Sequence, residues 1–199
     1  MERITILHTN DLHSHFENWP RIRRYLKTTR QQVMADGATV YTFDLGDHVD
    51  RVHPVSEATN GQQNIQLMNQ IGYDGVTIGN NEGLGFVRAQ LDHLYDHANF
   101  PVILGNLRIP DTHELPDWAI DHRLLTTAAG TRLLVLGLTA PYHLTYPLAG
   151  WQILDVQPTL AALLQRFAGQ FDVCVLLSHL GLDVDRLLAK RFPQVTVII

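Results

Sequence analysis

Residues 4–15 read Ile4-Thr-Ile-Leu-His-Thr-Asn-Asp-Leu-His-Ser-His15, a β-branched run followed at once by carboxylate, amide and imidazole side chains. This pattern predicts a strand over Ile4–Thr9. Ligands in α/β proteins bind at the carboxyl ends of strands, so the polar residues that follow the strand predict the start of a functional site.

The same arrangement of a strand followed by polar residues recurs three times along the chain. Strands predicted at 38–45, 75–78 and 173–177 are followed or ended by Asp44-Leu-Gly-Asp-His-Val-Asp-Arg51, Gly79-Asn-Asn-Glu-Gly83 and Ser178-His-Leu-Gly181. Each cluster alone is a common turn sequence. Four of them after four strands predict one shared rim of hydrogen-bonding groups.

The residue types in these clusters suit a pair of divalent metal ions. Asp11 and His13 are one residue apart and can reach one ion from a sharp turn. A carboxylate such as Asp47 can bridge two cations about 3.5–4 Å apart. Asn80 offers an amide oxygen and His179 an imidazole. Oxygen and nitrogen ligands without thiolate are typical of Mn, Fe, Zn or Mg sites.

Strand patterns alternate with helical ones, which predicts an α/β fold. Apolar spacing indicates helices at 22–33, 65–71, 87–95, 160–167 and 184–192, and further strands at 101–104, 119–127, 131–138 and 195–199. Residues 119–127 and 131–138 are expected to pair around Gly130. No linker or repeat interrupts the pattern, so residues 1–199 are interpreted as one domain.

Composition narrows the function classes. The 199 residues carry a formal net charge of -5, which gives no general attraction to nucleic-acid polymers or anionic membranes. The one cysteine, Cys174, lies in an apolar run and predicts a buried strand residue rather than a disulfide. No apolar run approaches the length of a membrane helix. The start of the chain shows no signal-peptide pattern, so a cytoplasmic protein is expected.

Together the motifs resemble a known superfamily. The pattern Asp11-x-His13, Gly46-Asp47-x-x-Asp50, Gly79-Asn80-Asn81-Glu82 and His179 is similar to that of the calcineurin-like metallophosphoesterases. The opening stretch is specifically similar to their 5′-nucleotidase and 2′,3′-cyclic-nucleotide phosphodiesterase branch. The resemblance implies a four-layer α-β-β-α fold, in which a mixed β-sandwich is flanked by helices.

The resemblance also implies a ligand set and a reaction. Two divalent ions (Mn, Zn, Fe or Mg) are expected, one held by Asp11, His13 and Asp47 and the other by Asp47, Asn80 and His179. Water activated by the two ions is expected to hydrolyse a small phosphate ester, with a nucleotide as the leading candidate. The partner implied is therefore a small molecule and not a nucleic-acid polymer or a membrane.

Two departures from the superfamily pattern affect these expectations. The Gly-x-His-x-His segment that supplies further metal ligands does not occur in this sequence, so the metallophosphoesterase domain is expected to be incomplete at its C-terminus, with weak or partial metal binding. Asn81 and Leu84 stand where the superfamily has a histidine–aspartate pair. Asn81 and His48 are therefore the predicted catalytic residues, with His15 as an alternative to His48.

The remaining predictions concern substrate and alternative functions. Asn80, Asn81 and Arg51 are predicted to contact the substrate, although a surface ion pair of Arg51 with Asp50 or Glu57 explains the arginine equally well. One alternative function is a non-catalytic or very slow homologue that binds metal or nucleotide through the altered Gly-Asn-Asn-Glu motif. Another is a different hydrolase on the same scaffold.

Overall fold

Two β-sheets face each other in the computed structural model, which describes residues 2–199. The strands are β1 (Ile4–Thr9), β2 (Thr39–Asp44), β3 (Gly75–Val76), β4 (Val102–Ile103), β5 (Leu107–Arg108), β6 (Ala119–Ile120), β7 (Arg123–Thr126), β8 (Arg132–Thr139), β9 (Gln152–Ile153), β10 (Val173–His179) and β11 (Val197–Ile198). The α-helices are α1 (Trp19–Ala35), α2 (Pro54–Ala58), α3 (Gln62–Met68), α4 (Asn80–Gly85), α5 (Arg88–Leu94), α6 (Val156–Arg166) and α7 (Leu182–Arg191). Short 3-10 helices span Phe16–Asn18 and Tyr146–Ala149.

The sheets differ in strand direction. The first has the order β1-β2-β3-β4-β6 and all its pairs are parallel. The second has the order β11-β10-β8-β7, in which β10 runs parallel to both neighbours and β7 forms an antiparallel pair with β8. A two-stranded antiparallel ribbon of β5 and β9 lies apart from them. In the parallel stretches, successive strands carry their carboxyl ends to the same edge.

Three clusters of buried apolar residues define the layers. One packs helices such as α3 and α5 against the first sheet, with Ile65 and Leu91 among its members. A second packs α6 and α7 against the other sheet. The third lies between the sheets and includes Phe43, Val135 and Leu177. Strand residues of the two sheets therefore meet face to face while helices cover the outer faces, which confirms the predicted four-layer α/β fold.

The sheets come closest at β4 and β8. The Gly105 backbone N–H donates to the Gly137 carbonyl at 2.7 Å, so main chain meets main chain between the layers. A Cβ atom at Gly137 would lie 2.0 Å from the Ile103 carbonyl oxygen, a distance that no side chain can accept. Glycine at this position therefore permits the close approach of the two sheets.

Several element predictions are confirmed, and two need correction. Buried Cys174 lies within β10, as predicted, and its burial raises the pKa of the thiol to about 12. The strand predicted over 119–127 is wrong in part, because it divides at residues 121–122 into β6 in the first sheet and β7 in the second. Residues 80–85, for which the sequence patterns indicated no helix, form α4. No helix within residues 2–199 is both long and apolar enough to cross a membrane.

Candidate metal centre

The segments that follow β1 and β2 run side by side beyond the sheet. The Asp11 N–H donates to the Gly46 carbonyl at 3.0 Å, and the His13 N–H donates to the Asp47 carbonyl at 2.9 Å. Asp11, His13 and Asp47 have φ values of 52°, 44° and 51°, in the left-handed region that non-glycine residues seldom adopt. Such strained backbone persists only where its surroundings hold it, and it commonly marks functional sites.

This backbone brings three predicted ligands together. Asp11, His13 and Asp47 each offer one ligand atom, and the three atoms lie within 4.8 Å of one another. The His13 Nε2 is 3.7 Å from an oxygen of Asp11 and 3.7 Å from Oδ2 of Asp47. Two carboxylates and an imidazole at these distances surround a space that a divalent ion fits.

The second oxygen of Asp47 faces the other sheet. Asp47 Oδ1 lies 3.5 Å from the Nε2 of His179, at the end of β10. The His179 Nδ1 lies 2.9 Å from the Leu45 carbonyl oxygen and donates to it in the tautomer that leaves Nε2 free as a ligand. Asp47 therefore lies between two imidazoles, one on each oxygen, and could contribute to two cation sites.

The electrostatics of Asp47 also fit a cation. The residue is 4% exposed. Within residues 2–199, the ion-pair partners of its carboxylate are His13 and His179, and no lysine or arginine lies within 4.0 Å of it. A buried carboxylate beside a second carboxylate is costly without compensating positive charge, which divalent ions would supply. The residues present therefore fit the metals that the motifs predict.

Glu82 holds the backbone of the cluster in place through hydrogen bonds. This buried side chain accepts backbone N–H bonds from Asp47, Val49 and Gly79 at 2.9, 2.7 and 2.9 Å. It thereby joins the segment after β2 to the start of α4. Burial, followed by the neighbouring charge of Asp47, raises the pKa of Glu82. The sequence places Glu82 in a motif but does not reveal this bracing contact.

Close packing of the main chain explains the glycine before Asn80. A Cβ atom at Gly79 would lie 1.9 Å from Oδ1 of Asp47, so only glycine leaves room for the carboxylate. The Asn81 N–H then donates to the same Oδ1 at 2.8 Å. The beginning of α4 thus packs directly on the carboxylate that faces both imidazoles.

A cavity of about 450 Å³ opens beside the cluster. Asp11, Asn80 and His179 line it, so the structure brings Asn80 to the same site as the other predicted ligands. Exposed His8 and half-exposed Tyr142 also line the cavity, although the sequence patterns assigned neither a role. His8 stands in the quoted opening stretch as part of a strand, and Tyr142 lies in a loop without periodicity.

The structure places the two histidines considered as substitutes away from the cluster contacts. His48 is 4% exposed, packs edge-on against Trp19 with ring centroids 5.3 Å apart, and has its Nδ1 3.6 Å from Asp44. His15 is exposed, with its Nδ1 2.7 Å from Glu17. The catalytic role of His48 stays a prediction, and its burial between Trp19 and Asp44 argues against direct substrate contact.

Two other predicted substrate contacts differ in their surroundings. The Arg51 guanidinium donates to the Gly85 carbonyl at 2.6 Å and lies 5.4 Å above the Phe86 ring. These contacts direct it to the carboxyl end of α4. Asn81, in contrast, has its side-chain Nδ2 2.8 Å from the Nδ1 of His13. It is therefore Asn81, rather than Arg51 or His48, whose side chain touches the predicted ligands.

Comparison with known proteins adds to this geometry. No family model matches the sequence. The chain is 41% identical over 198 residues to the uncharacterized metallophosphoesterase YunD of Bacillus subtilis, a match that covers 100% of this chain and 43% of YunD. This similarity confirms the predicted resemblance to the metallophosphoesterases. The chain spans less than half the length of that relative.

More distant similarities agree with this family. The chain is 32% identical over 119 residues to the snake venom 5′-nucleotidase of Gloydius brevicauda, covering 53% of the chain and 20% of the relative. The fold matches the solved structure of the NAD nucleotidase NadN of Haemophilus influenzae with a TM-score of 0.80 at 19% identity, over 92% of this chain and 35% of that one. The predicted resemblance of this chain to the 5′-nucleotidase branch is therefore confirmed.

Proposed function

We propose that this chain is a metal-dependent phosphoesterase domain that hydrolyses nucleotides or related small phosphate esters. The observation that carries the proposal is the position of Asp47, whose two oxygens face His13 and His179 at 3.7 and 3.5 Å. Relatives named metallophosphoesterase and 5′-nucleotidase support the same reaction class. Residues 1–199 act together in this proposal, because the two sheets that carry the ligands share one apolar layer.

Each residue has a stated part in the proposed reaction. Asp11, His13 and Asp47 would hold one divalent ion, and Asp47, Asn80 and His179 the other. When bound, such a pair lowers the pKa of water and offsets charge that develops on the phosphoryl oxygens. Glu82 and the Asn81 N–H keep Asp47 oriented, because they bond to its backbone and to its Oδ1. The cavity lined by Asn80 and His179 would receive the phosphate ester.

The test is phosphate release with added Mn²⁺ on AMP, a 2′,3′-cyclic nucleotide and an aryl phosphodiester. We expect turnover on at least one substrate, and we expect Asp47→Ala to reduce it to the rate without protein. Asp36→Ala is the matched control, since the exposed Asp36 carboxylate lies just past the end of α1 and, within residues 2–199, forms an ion pair with Arg3 alone. Turnover that survives in Asp47→Ala would contradict the proposal.

A second candidate function is a homologue that binds metal or nucleotide without turnover. Asn81 favours it, because a carboxamide replaces an imidazole next to His13 and cannot act as a proton donor of suitable pKa. Bound Mn²⁺ without phosphate release from any of the three substrates would support this function. Specific loss of Mn²⁺ binding in Asp47→Ala would then locate the binding site.

A further experiment tests whether His8 or His48 assists the proposed reaction. If an imidazole assists the reaction, His8 has the better access because it is exposed and lines the cavity, whereas His48 is buried. We therefore expect His8→Ala to lower the rate more than His48→Asn does once both variants are shown to be folded. The reverse order would restore His48 as the catalytic residue.

A further inference from the structure

The side chain of Asn81 contacts the outer nitrogen of a predicted metal ligand. Its Nδ2 is 2.8 Å from the Nδ1 of His13, while the Nε2 of the same ring faces Asp11 and Asp47 at 3.7 Å each. The imidazole thus presents one nitrogen to the cluster and the other to Asn81. A second group, Asp50 Oδ2, lies farther from Nδ1, at 3.5 Å.

The partner of the outer nitrogen governs how a histidine binds metal. It fixes the ring orientation and decides which nitrogen carries the proton, and loss of such a partner typically lowers metal affinity about 10- to 100-fold. A carboxamide offers both an N–H donor and a carbonyl acceptor. In the orientation that the structure shows, the amide Nδ2 donates to an unprotonated Nδ1. After rotation of the amide group, its oxygen can accept from Nδ1–H, which leaves Nε2 free to bind a metal ion.

Asn81 is itself held in place by the surrounding backbone and side chains. Its N–H donates to Asp47 Oδ1 at 2.8 Å, and its side-chain oxygen accepts from the Asn80 amide at 3.3 Å. The next residue, Glu82, is anchored by three backbone donors. The position of Asn81 relative to the Asp47 carboxylate is thus fixed. From this position its side chain helps to orient His13 toward Asp47.

We infer that Asn81 is a positioning residue that orients His13 for metal binding. This inference rests on the metal site of the proposed function and refines the predicted catalytic role of Asn81. The carboxamide acts through His13, so its removal weakens the ion held by Asp11, His13 and Asp47 more than it disturbs the fold. Without metal, the contact of its Nδ2 with Nδ1 favours the His13 tautomer that carries the proton on Nε2.

Two variants with the same branching at Cγ separate hydrogen bonding from shape. Asn81→Leu keeps the branched shape but removes both donor and acceptor, whereas Asn81→Asp keeps an acceptor for Nδ1–H. In Mn²⁺ titrations followed by calorimetry, we expect Asn81→Leu to raise the Kd about 10- to 100-fold. Asn81→Asp should bind at least as tightly as the original protein. Equal Kd values for Asn81→Leu and the original protein would overturn the inference, as would equal loss in both variants.

A measurement without metal supplies a second readout. The ¹⁵N chemical shifts of the His13 ring distinguish the two tautomers, and we expect a single tautomer in the original protein and an averaged pair in Asn81→Leu. Unchanged shifts in the variant would overturn the inference. Absence of turnover with Mn²⁺ bound would instead count against the proposed function alone. If Mn²⁺ does not bind at all, the metal-site proposal fails and the ring shifts still decide whether Asn81 orients His13.

Discussion

At the carboxyl-terminal edge of the first sheet, here called the first rim, many contacts hold the predicted ligands. At the corresponding edge of the second sheet, the second rim, few contacts hold His179. Asp47 is fixed by Glu82, by the Asn81 N–H and by backbone bonds to the segment after β1. His179 lies at the end of β10, and within residues 2–199 its side chain forms one hydrogen bond, to the Leu45 carbonyl. That single bond crosses to the first sheet, so the orientation of His179 depends on the packing between sheets. The first rim is preorganised locally and the second is positioned by tertiary structure.

The largest expected effect comes from removing the brace of the first rim. Glu82→Ala leaves three buried backbone N–H groups without an acceptor, and we expect the free energy of unfolding to fall by about 4 kcal/mol. Urea denaturation measures it. Glu57→Ala, at an exposed position of α2, is the control and should change stability by less than about 0.5 kcal/mol. A loss under about 1 kcal/mol for Glu82→Ala would mean that the rim is held mainly by other contacts.

A slightly smaller loss of stability is expected when a methyl group is added at Gly79, in the same rim. In Gly79→Ala the new methyl group meets Asp47 Oδ1 at 1.9 Å, so we expect a loss of about 3 kcal/mol and much weaker Mn²⁺ binding. Gly85→Ala is the matched control in the same helix, since its nearest neighbour is the Arg51 Cδ at 4.0 Å. That control should be neutral or slightly stabilising. Normal Mn²⁺ affinity in Gly79→Ala would show that Asp47 does not need its present position.

At the second rim, we expect a substitution to change stability little and activity strongly. His179→Ala removes one partly buried hydrogen bond, which predicts a loss of only about 1 kcal/mol in stability. Phosphoesterase activity with Mn²⁺ should nevertheless be lost, because Asp47 Oδ1 then faces no imidazole. His97→Ala, an exposed position, serves as the control for both assays. Full activity in His179→Ala would remove the second sheet from the metal site.

The smallest effect is expected far from either rim, at the opposite end of β8. Arg132 donates to Asp172 through its backbone N–H and guanidinium, and these bonds lower the pKa of the carboxyl from 3.8 to about 2. A lowered folded-state pKa adds stability above pH 4 that disappears as the pH falls from about 4 to 2. The stability difference between the original protein and Asp172→Asn should therefore shrink over that window. A difference independent of pH would exclude this ion pair as its source.

Sequence patterns predicted an α/β fold and placed Asp11, His13, Asp47, Asn80 and His179 at strand ends, and the resemblance to the metallophosphoesterases implied the four layers. Apolar periodicity and turn residues depend on local spacing, so those elements are visible in a single chain. The brace by Glu82 is not, because a glutamate is ordinarily exposed and two of its three donors, at Asp47 and Val49, are 35 and 33 residues away in sequence.

The packing around two further predicted features was not visible in the sequence. His48 follows Asp47 directly, so its proximity in sequence suggested a place in the site, yet the left-handed backbone at Asp47 precedes a side chain that packs against Trp19. The run 119–127 has strand character throughout, and nothing in its composition indicates that β6 and β7 join different sheets. In both cases the outcome depends on contacts with residues far away in sequence.

The missing side chain at Gly137 has a consequence for the distance between the two imidazoles. His13 and Asp47 belong to the first sheet and His179 to the second, and the Gly105–Gly137 bond sets how closely these sheets approach. A side chain at position 137 would meet the Ile103 carbonyl and wedge the layers apart. The distance between the imidazoles of His13 and His179 therefore depends on Gly137, which lies between the sheets and offers no ligand atom of its own.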